Sequence, residues 1–87
     1  MTTIPSTEDT LRRAIASDIN PAVSEQELGD EVQLFETHVI DSLGIFALVS
    51  FIEQEFHVEV DDEELVPENF GSISAMARFV DEKVRSA

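Results

Sequence analysis

Between Asp41 and His57 the apolar residues Ile45, Leu48, Val49, Ile52 and Phe56 recur at i, i+3, i+4, i+7 and i+11. That spacing is one stripe of an α-helix and does not suit an alternating strand. A helix with one apolar stripe must bury it against other elements, and two more segments carry matching stripes. Ser6 or Thr7 can cap a helix whose first turn holds Glu8 and Asp9 and whose apolar face is Leu11, Ala14, Ile15 and Ile19. Asn20-Pro21 stops it, because the residue before a proline is pushed out of the α region. Near the other end, Ser72 caps a helix carrying Ile73, Met76, Ala77, Val80 and Val84, with Arg78, Lys83 and Arg85 late in it. Between these, Asp61-Asp62-Glu63-Glu64 opens a turn or a short helix reaching Phe70, with Pro67 near a helical start and Gly71 as its stop. Three substantial helices and one short one predict an all-α fold, a small four-helix bundle.

The connections are uneven. Residues 21 to about 40 form a long one with a turn at Gly29-Asp30. Val23, Leu28, Val32, Leu34, Phe35, Val39 and Ile40 make it too apolar for a free linker, so it is expected to fold over the core. A connection this long in a small domain is more often functional than idle. His57-Val58-Glu59-Val60 alternates briefly, but a lone strand has nothing to pair with, and it reads as an extended link.

Composition narrows the function. The chain has 87 residues, which predicts one domain over 1–87 with a loose lead-in at about 1–5. A chain of this size buries roughly 60–65% of its unfolded surface, leaving little room for a walled catalytic cleft. Five basic and nineteen acidic residues give 5 − 19 = −14. Such a field repels phosphate, so nucleic acid and anionic membrane are not expected partners, whereas a basic protein surface is. The absence of Cys removes disulfide scaffolds, thiolate zinc sites and Cys nucleophiles. No apolar run reaches the roughly 20 residues that span a bilayer. Met1 to Pro5 has neither a basic nor an apolar leader region, which predicts a cytoplasmic location.

The chemistry concentrates in Leu34-Phe35-Glu36-Thr37-His38-Val39-Ile40-Asp41-Ser42-Leu43-Gly44. Asp41 is placed to cap the second long helix, with Ser42 at its first position. Here the chain resembles the acyl carrier and peptidyl carrier proteins. Their hallmark is an Asp-Ser-Leu tripeptide at the start of the second helix, behind a loop with Leu-Phe, a Gly and one or two apolar residues. Asp41-Ser42-Leu43, Leu34-Phe35 and Val39-Ile40 stand in those places. Phe51-Ile52-Glu53-Gln54-Glu55-Phe56 and Pro67-Glu68-Asn69-Phe70-Gly71-Ser72-Ile73 extend the likeness, which covers residues 8 to 84. His38 departs from it by standing where the family has Gly, a residue suited to positive φ.

The resemblance implies that Ser42 accepts 4′-phosphopantetheine from coenzyme A, and that Asp41 adds transferase recognition to its capping role. The first turn of a helix, with free N–H groups and a positive dipole end, is a favourable seat for the resulting phosphodiester. Ser42 has no base beside it, so an external transferase must activate it. The thiol for a thioester must come from the cofactor, since the chain has none. The implied protein is a freestanding, monomeric substrate shuttle without catalytic activity. It would hold acyl, aminoacyl or peptidyl groups, with polyketide or nonribosomal peptide metabolism favoured. Its partners would be a phosphopantetheinyl transferase, a loading adenylating enzyme or acyltransferase, and downstream biosynthetic enzymes. Leu43, Phe46, Ala47 and Glu53, lying off the buried stripe or flanking it, are the candidate partner contacts.

Other readings of the same residues are weaker. Leu43 can be core, and Phe46 can fold against the long loop. The acidic run 61–64 lacks the pattern of an EF-hand. His38 and His57 have no metal-ligand spacing, and no metal is expected. His38, Asp41 and Ser42 are the residue types of a hydrolase triad, but Ile40 stands where a nucleophile elbow needs Gly, and adjacent positions cannot form the relay. An acidic helical binding or regulatory module with an unmodified Ser42 remains the alternative.

Overall fold

The computed structural model describes residues 6–86, and the expected lead-in at 1–5 lies outside them. Four α-helices follow one another: α1 Thr7–Ala14, α2 Gly44–Phe56, α3 Pro67–Phe70 and α4 Ile73–Ser86. There is no strand among the described residues, so the all-α expectation holds.

The Ser6 side chain accepts from Asp9 N at 3.1 Å and caps α1, and Leu11 and Ala14 are buried. The α-helix is shorter than its apolar spacing predicts. Beyond Ala14 the backbone widens into a π turn, Ile15–Ile19, closed by Asn20 N donating to Ile15 O at 2.8 Å. Asn20 leaves helical space at φ −143° and ψ 85°, as its place before Pro21 requires. Its side chain donates to Val39 O at 3.0 Å, tying this end to the end of the long connection.

That connection lies over the bundle. It holds one 3-10 turn, Glu25–Glu27, and buries Leu28, Leu34 and Ile40. Arg12 fastens its first half: Nε donates to Leu28 O at 2.6 Å, Nη1 pairs with Asp9 at 2.7 Å and Nη2 pairs with Asp30. Leu34 N donates to Gly71 O at 2.8 Å, and Ser74 N to Asp30 O at 2.9 Å. With these bonds an apolar loop is held without a strand partner, its backbone groups pairing with side chains and with the backbone of Gly71 and Ser74 instead.

In α2, Leu48 and Ile52 are fully buried while Ile45, Val49 and Phe56 are half-buried. Fully burying a Leu or Ile is worth about 1.5–3 kcal/mol each. The helix ends at His57, which takes the left-handed conformation with φ 57°. The link 57–60 is extended, as expected, and Val60 N donates to Glu53 Oε2 at 2.9 Å. The acidic run forms a 3-10 turn, Asp62–Glu64, closed by reciprocal Asp61 and Glu64 capping contacts. Pro67 opens α3, and Gly71 follows it so closely that a Cβ there would stand 2.6 Å from Pro67 O.

Ser72 caps α4 by accepting from Ala75 N at 3.1 Å. This helix touches α1, α2 and α3. Its buried arc is therefore wider than the one predicted stripe and includes Phe79, whose ring is 5.2 Å from that of Phe70. Val84, expected in the core, is exposed. Thr7, the first residue of α1, already donates to Asp81 at 2.7 Å, so the last turn of α4 runs past α1. Buried residues from all four helices and the long connection form one apolar cluster.

Candidate functional site

The regular hydrogen-bonding of α2 begins at Gly44, three residues after Asp41. Asp41 still caps the helix. Its Oδ1 accepts from Leu43 N at 3.1 Å and Gly44 N at 2.7 Å, and its backbone O accepts from Ile45 N at 3.1 Å. Ser42, expected at the first helical position, instead lies with Leu43 in the turn that leads into α2, exposed between the Asp41 cap and the regular helix, because the Asp41 carboxylate engages the amides that follow. Gly44 makes this start compact: a Cβ on it would lie 3.2 Å from both Asp41 Oδ1 and Ile19 Cγ2.

This arrangement narrows one expectation. The N–H groups of Leu43 and Gly44 are already engaged by the Asp41 carboxylate, so they are not free seats for a phosphate. What favours an anion on Ser42 is the dipole end of the 13-residue helix α2 and the openness of the turn.

His38 ends the turn 34–38, three residues before Asp41, with φ 60°. This is the left-handed conformation anticipated at a position where Gly is usual. An L-residue other than Gly pays about 1–2 kcal/mol for it, and His is among those that tolerate it better.

Beside Ser42 runs an open, largely apolar groove of about 390 Å³. Its lining comes from Ser42, Ile45 and Phe46 around the start of α2, from Leu65, Val66, Pro67 and Phe70 of a second wall, and from Phe35 of the long connection. Leu43 and Phe46, 78% and 60% exposed, are large apolar side chains left at the surface next to the serine. Ala47 is exposed as well. Glu53 is different: it is half-buried, and one of its oxygens holds Val60 N. It lies more than two helical turns from Ser42 along α2, away from the other three.

The wall at 65–70 does not follow from the sequence, which predicts only a turn or a short helix reaching Phe70. Glu64, just before that wall, accepts from Lys83 Nζ at 2.7 Å. This hydrogen bond, with a second from Asp61 N, holds the Glu64 carboxyl below the usual carboxylate range. The same bond pushes the Lys83 ammonium up. Neither partner was identifiable from spacing, since they are far apart in sequence. Among the described residues no cluster of His, Asp and Glu is arranged to hold a metal ion, and no helix is long and apolar enough to cross a membrane.

A family model described as phosphopantetheine attachment site matches residues 9–80. The chain belongs to this family of acyl and peptidyl carrier proteins. It is also similar to a protein of Serratia sp. (strain ATCC 39006) named "Probable acyl carrier protein PigG", with 38% identity over 53 residues. That match spans 61% of this chain and 61% of the relative's length.

The chain is therefore a carrier protein, and its prosthetic group is 4′-phosphopantetheine. When bound, the group supplies a terminal thiol for thioester formation on a flexible arm. The residues present fit it. The exposed hydroxyl of Ser42 would hold the phosphodiester, Asp41 fixes the turn that presents that hydroxyl, and the groove leaves apolar surface beside it. The family as a whole interacts with phosphopantetheinyl transferases and biosynthetic enzymes, and its members are generally non-catalytic.

Proposed function

We propose that this carrier holds acyl, aminoacyl or peptidyl intermediates as thioesters on 4′-phosphopantetheine attached to Ser42. It passes them between biosynthetic enzymes of polyketide or nonribosomal peptide type. The observation that supports this reading best is the isolation of the Ser42 hydroxyl: it is exposed, on a turn fixed by the Asp41 cap, beside an apolar groove. With no general base on it, the serine waits for a transferase to remove its proton and direct it at coenzyme A. The work of the chain's own residues is presentation. Asp41 holds the turn, and Leu43, Phe46 and Ala47 offer the apolar contact on which partners dock. The net charge of −14 steers the carrier toward basic rims before that contact forms. Each encounter is short, because the carrier must leave one enzyme to reach the next.

Two measurements test this. Fragment mapping by tandem mass spectrometry, after incubation with coenzyme A, Mg²⁺ and a promiscuous transferase, is expected to place the added mass on Ser42. Its appearance on any other residue would overturn the assignment. Phe46→Glu is expected to stay folded, since Phe46 is 60% exposed, yet to lose turnover with at least one partner. Unchanged loading and processing kinetics in that variant would remove the docking role of this face.

A further inference from the structure

The two walls of the groove are held in different ways. The Ser42 wall is the start of α2, anchored by the fully buried Leu48 and Ile52. The second wall, Leu65 to Phe70, is a short link and a one-turn helix that packs mainly on α4. This wall is a strap fixed at both ends. At one end Val60 N donates to Glu53 at 2.9 Å, and at the other Gly71 O accepts from Leu34 N at 2.8 Å.

Between those points Phe70 is buried in the core, and the stretch before it is gripped from outside by Lys83. Lys83 Nζ donates to Glu64 Oε1 at 2.7 Å, and the same oxygen accepts from Asp61 N at 2.9 Å. Lys83 Nζ also stands 5.6 Å over the Phe79 ring, which packs at 5.2 Å on Phe70 behind the groove. One lysine therefore meets both the rim of the strap and the ring that backs its floor. Both partners of the ion pair are about a quarter exposed, at 26% and 28%. A pair this open is screened by salt and adds little to global stability, so it parts without unfolding the bundle.

We propose that Lys83–Glu64 is a latch that sets the opening of the groove beside Ser42. When the pair parts, residues 61–66 open locally, while Phe70 stays buried in the core and fixes the far end of the segment. Lys83 is a positioning residue, acting through Glu64 on a groove it does not line. The purpose of the latch, admitting or sheltering what Ser42 carries, rests on the carrier reading. The latch itself is a property of the unmodified protein and is tested there.

The test is amide hydrogen exchange by NMR on the unmodified protein. Glu64, Leu65 and Val66 report on the strap, since their amides close the turn that the Glu64 side chain holds. Ile52 in α2 is the reference. Lys83→Met is expected to speed exchange at the three strap amides about two- to fivefold and leave Ile52 unchanged. Glu64→Gln, which keeps an oxygen for Asp61 N, is expected to reproduce this, and Lys83→Arg to restore the wild-type pattern. Unchanged strap exchange in Lys83→Met would overturn the latch. So would an equal acceleration at Ile52, which marks general loosening, or failure of Lys83→Arg to rescue. None of these results depends on whether Ser42 accepts a prosthetic group.

Discussion

Asp41→Ala isolates what the cap contributes to the site. Asp41 Oδ1 accepts from Leu43 N at 3.1 Å and from Gly44 N at 2.7 Å. Alanine removes both bonds and keeps the backbone bond from Ile45 N, so the helix still starts but its first turn is untethered. Removing a carboxylate cap costs about 0.5–2 kcal/mol, and the exposed position puts this case near the middle, because the released amides return to water. Losing one charge from a chain at −14 eases self-repulsion and opposes the loss by a few tenths of a kcal/mol. The expected net destabilisation is about 1 kcal/mol. For a domain of this size that lowers Tm by about 4–8 °C. Asp41→Asn loses the same charge but keeps an acceptor in the same place, and is expected to stay within about 0.5 kcal/mol of wild type. Thermal unfolding followed by circular dichroism, with urea titration beside it, reads both. An Asn variant that falls as far as the Ala variant would refute the hydrogen-bond argument, and an Ala variant with unchanged Tm would refute the cap altogether.

Other expected outcomes follow from particular residues. His38→Gly relieves the positive φ of 60° at the cost of a freer unfolded chain, for a net gain of about 0.5–1 kcal/mol in urea unfolding. His38→Val is expected to destabilise at the same position. Gly71→Ala puts a Cβ 2.6 Å from Pro67 O, and since backbone must move to admit it, a loss of about 1–3 kcal/mol is expected. Denaturant titrations across pH should show the Glu64–Lys83 pair at both ends of the range. The Glu64 carboxyl is held low, so its contribution is present at neutral pH and is lost as pH falls through the lowered value. The Lys83 ammonium is held high, so its contribution is lost only as pH rises through the raised value. In Lys83→Met these two dependences should vanish, and their persistence would assign them to other groups.

Much of the fold was legible because it follows from helical periodicity. Leu48 and Ile52 announced the buried face of α2, and the same arithmetic placed Phe46 outside. Asn20-Pro21 gave the stop after α1, and Ser72 the start of α4. What periodicity could not carry was geometry set by distant partners. The π turn at Ile15–Ile19 arises where the helix meets its proline stop, and no residue spacing encodes it. Phe79 is buried because α3 covers it, and Val84 is exposed because α4 outruns α1. At the site, the tripeptide identifies Asp41 as the cap, but the engagement of Leu43 N and Gly44 N depends on the turn geometry at 42–43, which residue spacing does not encode. The Glu64–Lys83 contact joins residues with no sequence relation, and Glu53 became a tether for Val60 where exposure alone was expected.

The central claim is that Ser42 is where this carrier receives its prosthetic group. Intact mass of wild type and Ser42→Ala, after incubation with coenzyme A, Mg²⁺ and a promiscuous phosphopantetheinyl transferase, tests it directly. Both samples must first show the same helical circular dichroism spectrum. The account predicts a gain of one phosphopantetheine in the wild type and none in the variant. A gain in Ser42→Ala, or no gain in folded wild type while a known carrier is modified in parallel, would contradict it.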